Sequence, residues 1–495
     1  METIRKTYSM STQRTTRLKK EVLSAPREIS TARARILTEA YQRHADKPLI
    51  LKRALAYQAI LENIPISIHQ DELIVGGFTE KRRGAFLMPE NNVTGLDLSK
   101  IYNQAVKAVL NALIQPLIKV VSIFNKPLTV RLSAANLLFE QALDTFENRS
   151  SQRFSITEDE KRDLAEKIFP YWRNRDGYSL YRSLITPEEK RLMNQFAYAA
   201  EHAFVGGVFL FHPHLEKSIQ PGLMSIIELA ERKISERRSD LGDTAPLNDF
   251  YEAMIISCRA VIAFANRYAA RAETLAATTA DGQRRAELLR IADMCRHVPA
   301  NPPRSFYEGM QSLFLTYIAV AMDDGGHEIP FGRWDQALYP LYKRDLETGE
   351  TTKEQALELI EAFLIKTNEF EFLLNNKARL FEDGNSGRLT LTIGGVDQDG
   401  HDATNDLSYL FLEALSNTRM IRPNPAVRLH RETPEPFLNR VVEIMASGAN
   451  TIQVFNDEAI VQGFLDAGFP AADARDYIIG GCVQPIPKST YGSVC

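Results

Sequence analysis

From Asn301-Pro302-Pro303 to its end, the chain alternates segments of helical period with short apolar runs that stop at glycine. No other feature limits the fold as much, because alternating helices and short strands predict an α/β arrangement. Thr352-x-x-Gln355 is a capping-box start for a helix over Lys353 to Lys366, with Leu357, Ile360, Phe363 and Leu364 on one face. Arg388 to Ile393 reads as a strand closed by Gly394-Gly395. Thr433-Pro434 opens another helix, for which the spacing predicts Phe437, Val441, Val442 and Met445 inward and Gly448 as the stop. Thr451 to Phe455 reads as the next strand, and Asn456-Asp457-Glu458 caps a helix ending near Gly468.

Residues 1–300 read as largely helical. Apolar residues recur at helical spacing over Thr31 to Arg43, Pro48 to Leu61, Ser225 to Glu236 and Asp249 to Leu275. Leu96 to Val121, interrupted by Pro116, reads as a buried helix pair. Glu72 to Gly77 reads as a strand or loop. A net charge of −4 gives nucleic-acid binding no electrostatic support. No apolar stretch approaches the roughly 18–20 residues of a membrane span, and Met1 to Arg14 lacks a signal-peptide core. Cys258, Cys295, Cys482 and Cys495 show no pairing or C-x-x-C spacing, which points to a reducing compartment, by default the cytoplasm, and to no zinc site.

The residues that carry chemistry gather late in the chain. Tyr477 to Ile479 is a short apolar run that ends in Gly480-Gly481, delivers Cys482 onto a tight turn, and leaves through Val483-Gln484-Pro485. Glycine opens backbone angles closed to other residues and proline fixes φ, so such a turn can hold a thiol at a strand tip; the plainer reading is a small buried hydrophobe, the usual fate of a free cysteine. Glu328 follows His327 beside Phe331 and Trp334, where burial would raise its pKa; the plainer reading is an ion pair with Arg333. His212 and His214 are too isolated for metal-ligand spacing, and no phosphate-binding glycine loop occurs.

Several of these blocks, in register, resemble the glycyl radical enzymes of the pyruvate formate-lyase superfamily. They are Ala32-Arg33-Ala34-Arg35, Asp71 to Gly76, Gly326 to Gln336, Leu391 to Gly395, Pro425 to His430, Phe455 to Glu458 and Asp473 to Pro485. The resemblance runs from about Thr16 to the end and implies one domain over residues 1–495. Its fold would be an α/β barrel of two antiparallel halves wrapped in helices, with residues 301–495 giving the first barrel elements. The family's radical-bearing glycine motif, R-V-A-G-[YF], does not occur in the chain, nor does the second barrel half. The sequence is therefore expected to be a truncated form that is inactive alone, or one completed by a separate polypeptide.

The resemblance also implies roles. Cys482 would become a thiyl that abstracts hydrogen from a substrate carbon, which needs a dry cavity and no thiolate. Eliminase members usually carry Glu where this chain has Gln484, and an amide cannot act as a general base; either the base lies elsewhere, with Glu328 the candidate, or the reaction needs none, and Gln484 either orients substrate or satisfies the turn backbone. His327, His202, His212 and Phe331 are the candidate substrate contacts, and Phe209-Leu210 stands where many eliminases have Gly-His. No bound cofactor is implied beyond the protein glycyl radical, installed by a radical-SAM activating enzyme, and a homodimer is the family habit. The implied activity is a lyase or dehydratase on a small organic substrate. Gly481 before Cys482 disfavours acyl transfer of the formate acetyltransferase kind, which uses two adjacent cysteines; arylacetate decarboxylation and addition to fumarate stay open. The alternative of another class is an inactive remnant that binds partners.

Overall fold

Helix propensity and apolar period give the first half its scaffold. The computed structural model describes residues 11–91, 146–147, 149, 151–194, 209–237, 245–373, 389–448, 452–488 and 492–494. The expected helix pair over Leu96 to Val121 lies outside these residues. The long helix Ala245–Thr278 buries Ala265, Ala269, Ala272 and Ala276 beside Phe264 and Tyr268. Alanine at this spacing brings neighbouring backbones close, and the helix packs against Leu49–Asn63, Leu223–Arg237 and Gly282–His297. Strands β1 (Glu28–Ser30) and β2 (Gly84–Phe86) pair in parallel. Strand β3 (Phe209–Phe211) is paired antiparallel with Gly492–Val494, here β9.

Glu72 to Gly77 is a loop, and its backbone polar groups are met by a side chain. The Gln311 amide donates to the Val75 carbonyl at 2.7 Å and accepts the Val75 N–H at 2.9 Å, standing in for a strand neighbour. Beside it the buried Glu72 carboxylate takes Lys366 at 2.6 Å and Arg82 at 2.7 Å. The Asp71 to Gly76 signature thus has a structural account in this chain.

The second half is the α/β part. Strands β4 (Thr390–Gly394), β5 (Asn424–Leu429) and β6 (Gln453–Asn456) form a parallel sheet in that order, with the helices Asp406–Thr418 and Glu435–Ala446 as crossovers. Gly332 bridges Leu391 on the free side of β4, so the Phe331 to Arg333 segment extends the sheet. All five residues of β4 are buried, as expected of a strand covered on both faces. Below it, helix Phe306–Asp324 is buried almost all round, and Phe331 stacks on its Tyr317 at 4.1 Å between ring centres. Strands β7 (Ile478–Gly480) and β8 (Gln484–Ile486) make an antiparallel hairpin.

The capping-box helix Lys353–Lys366 and the Asn456 cap form where expected, with both reciprocal bonds at Thr352 and Gln355. One face needs correction. In the helix Glu435–Ala446 the inward residues are Phe437, Val441 and Ile444, whereas Val442 and Met445 are exposed. Residues 437, 441 and 444 follow the 3.6-residue period, and each outward residue lies one step, about 100°, past an inward one. Among the described residues, no helix is long and apolar enough to cross a membrane.

Candidate active site

Two threonines of β4 seat the cysteine hairpin. Thr390 and Thr392 are two apart on a strand, so both hydroxyls leave the same face. Thr390 Oγ1 donates to the Gly481 carbonyl at 2.8 Å, and Thr392 Oγ1 accepts the Ile479 N–H at 3.0 Å. Gly480 pairs with Gln484, which leaves Gly481-Cys482-Val483 as the turn. Gly481 has φ +53°, a left-handed value that suits glycine. Cys482 at the tip is exposed. The described residues therefore do not close the expected dry cavity around the thiol. Gln484 is half-buried, two residues on along β8.

A buried ionic network holds the hairpin from behind. Arg428, fully buried on β5, donates from Nε and Nη2 to the two oxygens of Asp457 at 2.8 and 2.9 Å, and from Nη1 to the Tyr477 carbonyl at 2.9 Å. Its guanidinium lies 3.8 Å from the Tyr477 ring centre, and the Tyr477 hydroxyl donates to Asp457 Oδ1 at 2.6 Å. Gly395 passes so close that a Cβ there would meet Arg428 Nε at 2.5 Å. His430, further along, pairs with Asp402 at 3.0 Å. These contacts make Arg428 and His430 structural polar groups.

The loop Gly325 to Pro330 carries His327 and Glu328 toward β4. The Phe331 N–H donates to the Thr390 carbonyl at 2.8 Å and the Thr392 N–H to the Gly332 carbonyl at 3.0 Å. One strand therefore neighbours both the Glu328 loop and the Cys482 hairpin. Glu328 is buried, and Arg333 does not pair with it: the guanidinium goes to Asp476 at 3.0 Å and to the Gly394 and Val396 carbonyls, each at 2.9 Å. The plainer reading of Glu328 is thus corrected, because Arg333 is drawn to the carboxylate and carbonyls beyond β4. His327 is half-buried, with its ring edge against Phe372 at 5.0 Å. Phe331 sits in the aromatic core with Tyr317, Trp334 and Phe363 and is 1% exposed. Its ring supports the loop from behind.

Asp324 ends the helix just before this loop. Burial first, then the Asp323 charge, pushes its carboxyl up to about 7 despite Arg53. A raised folded-state pKa adds stability below the unfolded value near 3.8 and loses it as pH rises through 7. Asp324→Asn is therefore expected to match the parent near pH 4 and exceed it above pH 7. The gain should be about 2 kcal/mol after allowing for screening of a half-buried group, read by urea unfolding at both pH values.

The third element is the segment after β3. His212 is buried, and burial above all takes its pKa down to about 4, leaving it neutral at pH 7. Its Nδ1 accepts the His214 N–H at 3.2 Å, so Nε2 carries the proton. His214 has a left-handed φ of +47° and its Nδ1 lies 3.4 Å from Glu216. Burial works against the Glu216 charge, but His214, His212 and Lys488 outweigh it and hold the carboxyl at about 2. The ligand atoms of His212, His214 and Glu216 lie within 4.8 Å of one another, a grouping capable of holding a metal ion that spacing alone did not suggest. The Lys488 ammonium, 3.4 Å from Glu216, already meets that carboxylate. His202 lies outside the described residues. Sequence reasoning missed Lys488 and the roles of Asp476 and Asp457; Asp476 and Asp457 stood inside quoted motifs, whereas nothing local marked Lys488.

Comparison with known proteins places these elements in context. Residues 8–494 match the family model described as pyruvate formate lyase-like. The chain is 30% identical over 499 residues to a (2S)-3-sulfopropanediol dehydratase of Klebsiella oxytoca, covering 97% of this chain and 55% of that protein. It is 29% identical to an isethionate sulfite-lyase of Oleidesulfovibrio alaskensis, covering 92% of this chain and 51% of that one. The glycerol-bound B12-independent glycerol dehydratase of Clostridium butyricum superposes with a TM-score of 0.83 at 31% identity, over 97% of this chain and 55% of that chain. The chain spans about half the length of the curated relatives it matches.

Proposed function

Because this chain belongs to the pyruvate formate lyase-like family, we propose that it carries the cysteine loop of a glycyl radical lyase or dehydratase acting on a small polar metabolite. The observation that carries this reading is Cys482 at the exposed tip of a glycine-opened hairpin, anchored through its backbone to β4. A protein glycyl radical, when present, would supply the unpaired electron at the sulfur by accepting the hydrogen of the Cys482 S–H bond. The exposed tip leaves the thiol open to the approach of such a radical. Cys482 then takes a hydrogen atom from a substrate carbon: the C–H bond breaks, the S–H bond forms, and the unpaired electron stays on carbon. Gln484 donates or accepts a hydrogen bond at a substrate hydroxyl but cannot remove its proton. Glu328, buried beside the same strand, takes that proton while the adjoining C–O or C–S bond opens and the leaving group departs with the bonding pair; the product radical then takes the hydrogen back from Cys482, which returns the unpaired electron to sulfur. His327 and His212 contribute polar contacts, His212 as a neutral donor. Activation by a radical-SAM enzyme and pairing into a homodimer belong to the same proposal, and the oxygen sensitivity of such a radical makes the work anaerobic.

The test is anaerobic activation of the intact protein, with the radical quantified by EPR. A panel of glycerol, propane-1,2-diol, trans-4-hydroxy-L-proline, isethionate and phenylacetate follows. Elimination from at least one of the first four is expected; a fully radical-loaded protein that converts none of them refutes the lyase reading. Restoring a carboxylate should matter as well. Gln484→Glu is expected to raise diol dehydration about a hundredfold, the low end of the ordinary range for a positioned general base, and an unchanged product profile would count against the displaced-base argument.

A further inference from the structure

Building on the reading of Cys482 above, we propose that Asp476 and Lys488 are a positioning pair whose ion pair closes the base of the cysteine hairpin and fixes where the thiol sits. The two residues stand six positions before and six after Cys482, flanking β7 and β8. Lys488 Nζ lies 2.8 Å from Asp476 Oδ2. The pair is tied to two other parts of the fold. Asp476 Oδ1 accepts from Arg333 Nη1 at 3.0 Å, and Arg333 Nη2 is fixed on the Gly394 and Val396 carbonyls, at and just past the end of β4. Lys488 Nζ reaches Glu216 at 3.4 Å, on the segment that carries His212 and His214. One ionic chain therefore joins the Glu328 loop, the hairpin base and the histidine segment.

The hairpin needs such a tether. Each strand has three residues, and a two-stranded ribbon of that size is marginal by itself. Its own apolar contact is the pair Ile478 and Ile486. Cys482 and Val483 are exposed, so packing does not hold the tip. The tip is set from the sides by Thr390 and Thr392 and from the base by the ion pair. Surface ion pairs hold little, but these side chains are 17% and 29% exposed and each charge is reinforced. Burial works against both charges; Arg333 and Lys488 hold Asp476 below its usual range, and Asp476 and Glu216 hold Lys488 above its own. Hydrogen transfer tolerates little misplacement: an error of about 1 Å costs on the order of a hundredfold in rate.

The experiment uses the intact protein with Asp476→Asn, Lys488→Met and Lys488→Arg. Amide hydrogen exchange across Ile478–Ile486 is expected to speed up at least tenfold in the first two and to stay near the parent in Lys488→Arg. After anaerobic activation, with glycerol and trans-4-hydroxy-L-proline as probes, the first two should lose at least tenfold in kcat. KM should move less than threefold and the glycyl EPR signal should be unchanged. Unchanged exchange in both variants overturns the proposal, and so does a loosened hairpin with full kcat. A Cys482→Ser protein that still turns over would instead overturn the underlying reading, a separate result.

Discussion

Cys482→Ser is expected to abolish turnover, by at least about four orders of magnitude, in an activated protein whose glycyl EPR signal is intact. The reason is bond strength and not nucleophilicity. A hydroxyl holds its hydrogen far more tightly than a thiol does, and every ~1.4 kcal/mol added to the barrier costs tenfold in rate. The substitution is otherwise mild. The side chain is exposed on a turn held by backbone bonds from Thr390 and Thr392, so packing is barely disturbed. A nucleophilic cysteine would be inactivated too, but it would also be sensitive to the loss of a nearby base, and its protein would turn over without any radical. Residual activity above one part in a thousand, or equal activity before and after activation, would show that Cys482 is not the hydrogen-abstracting group.

Arg428→Met should produce the largest loss of stability. Arg428 is 0% and Asp457 2% exposed, and their bidentate pair also holds the Tyr477 and Arg475 carbonyls. Removing one partner of a buried pair strands the other charge away from water, which costs about 3–5 kcal/mol. Tyr477 and the Val396 N–H still contact Asp457, which places the expected loss toward the lower end of that range. Methionine fills much of the volume, so the loss reads the charge and not a cavity. Arg428→Lys should recover part of it, because a single ammonium cannot span both carboxylate oxygens and two carbonyls. Urea unfolding of the two variants beside the parent decides; a cost under about 1 kcal/mol would mean the network contributes far less than its burial suggests.

Much of the second half was legible before any coordinates. The Thr352 and Asn456 caps, the strand ending at Gly394-Gly395 and the turn at Gly481 all depend on residues within a few positions of one another. Val442 and Met445 were placed inward because both are apolar, and only packing against the helix Asp406–Thr418 shows which of two adjacent apolar stripes is covered. The role of Arg333 was misjudged for a similar reason. Glu328 is its neighbour in sequence, but Asp476, 143 residues away, is its partner in space.

Local chemistry by itself therefore determined the α/β rhythm, the caps and the glycine-opened turn that carries Cys482, since each follows from backbone angles and hydrogen bonds within one or two turns of chain. Tertiary structure alone decided that Cys482 stands exposed, that Phe331 belongs to the core, and that Asp476 and Lys488 meet below the hairpin. Burial and long-range charge pairing depend on which surfaces the whole chain brings together, and no short window of sequence contains that information.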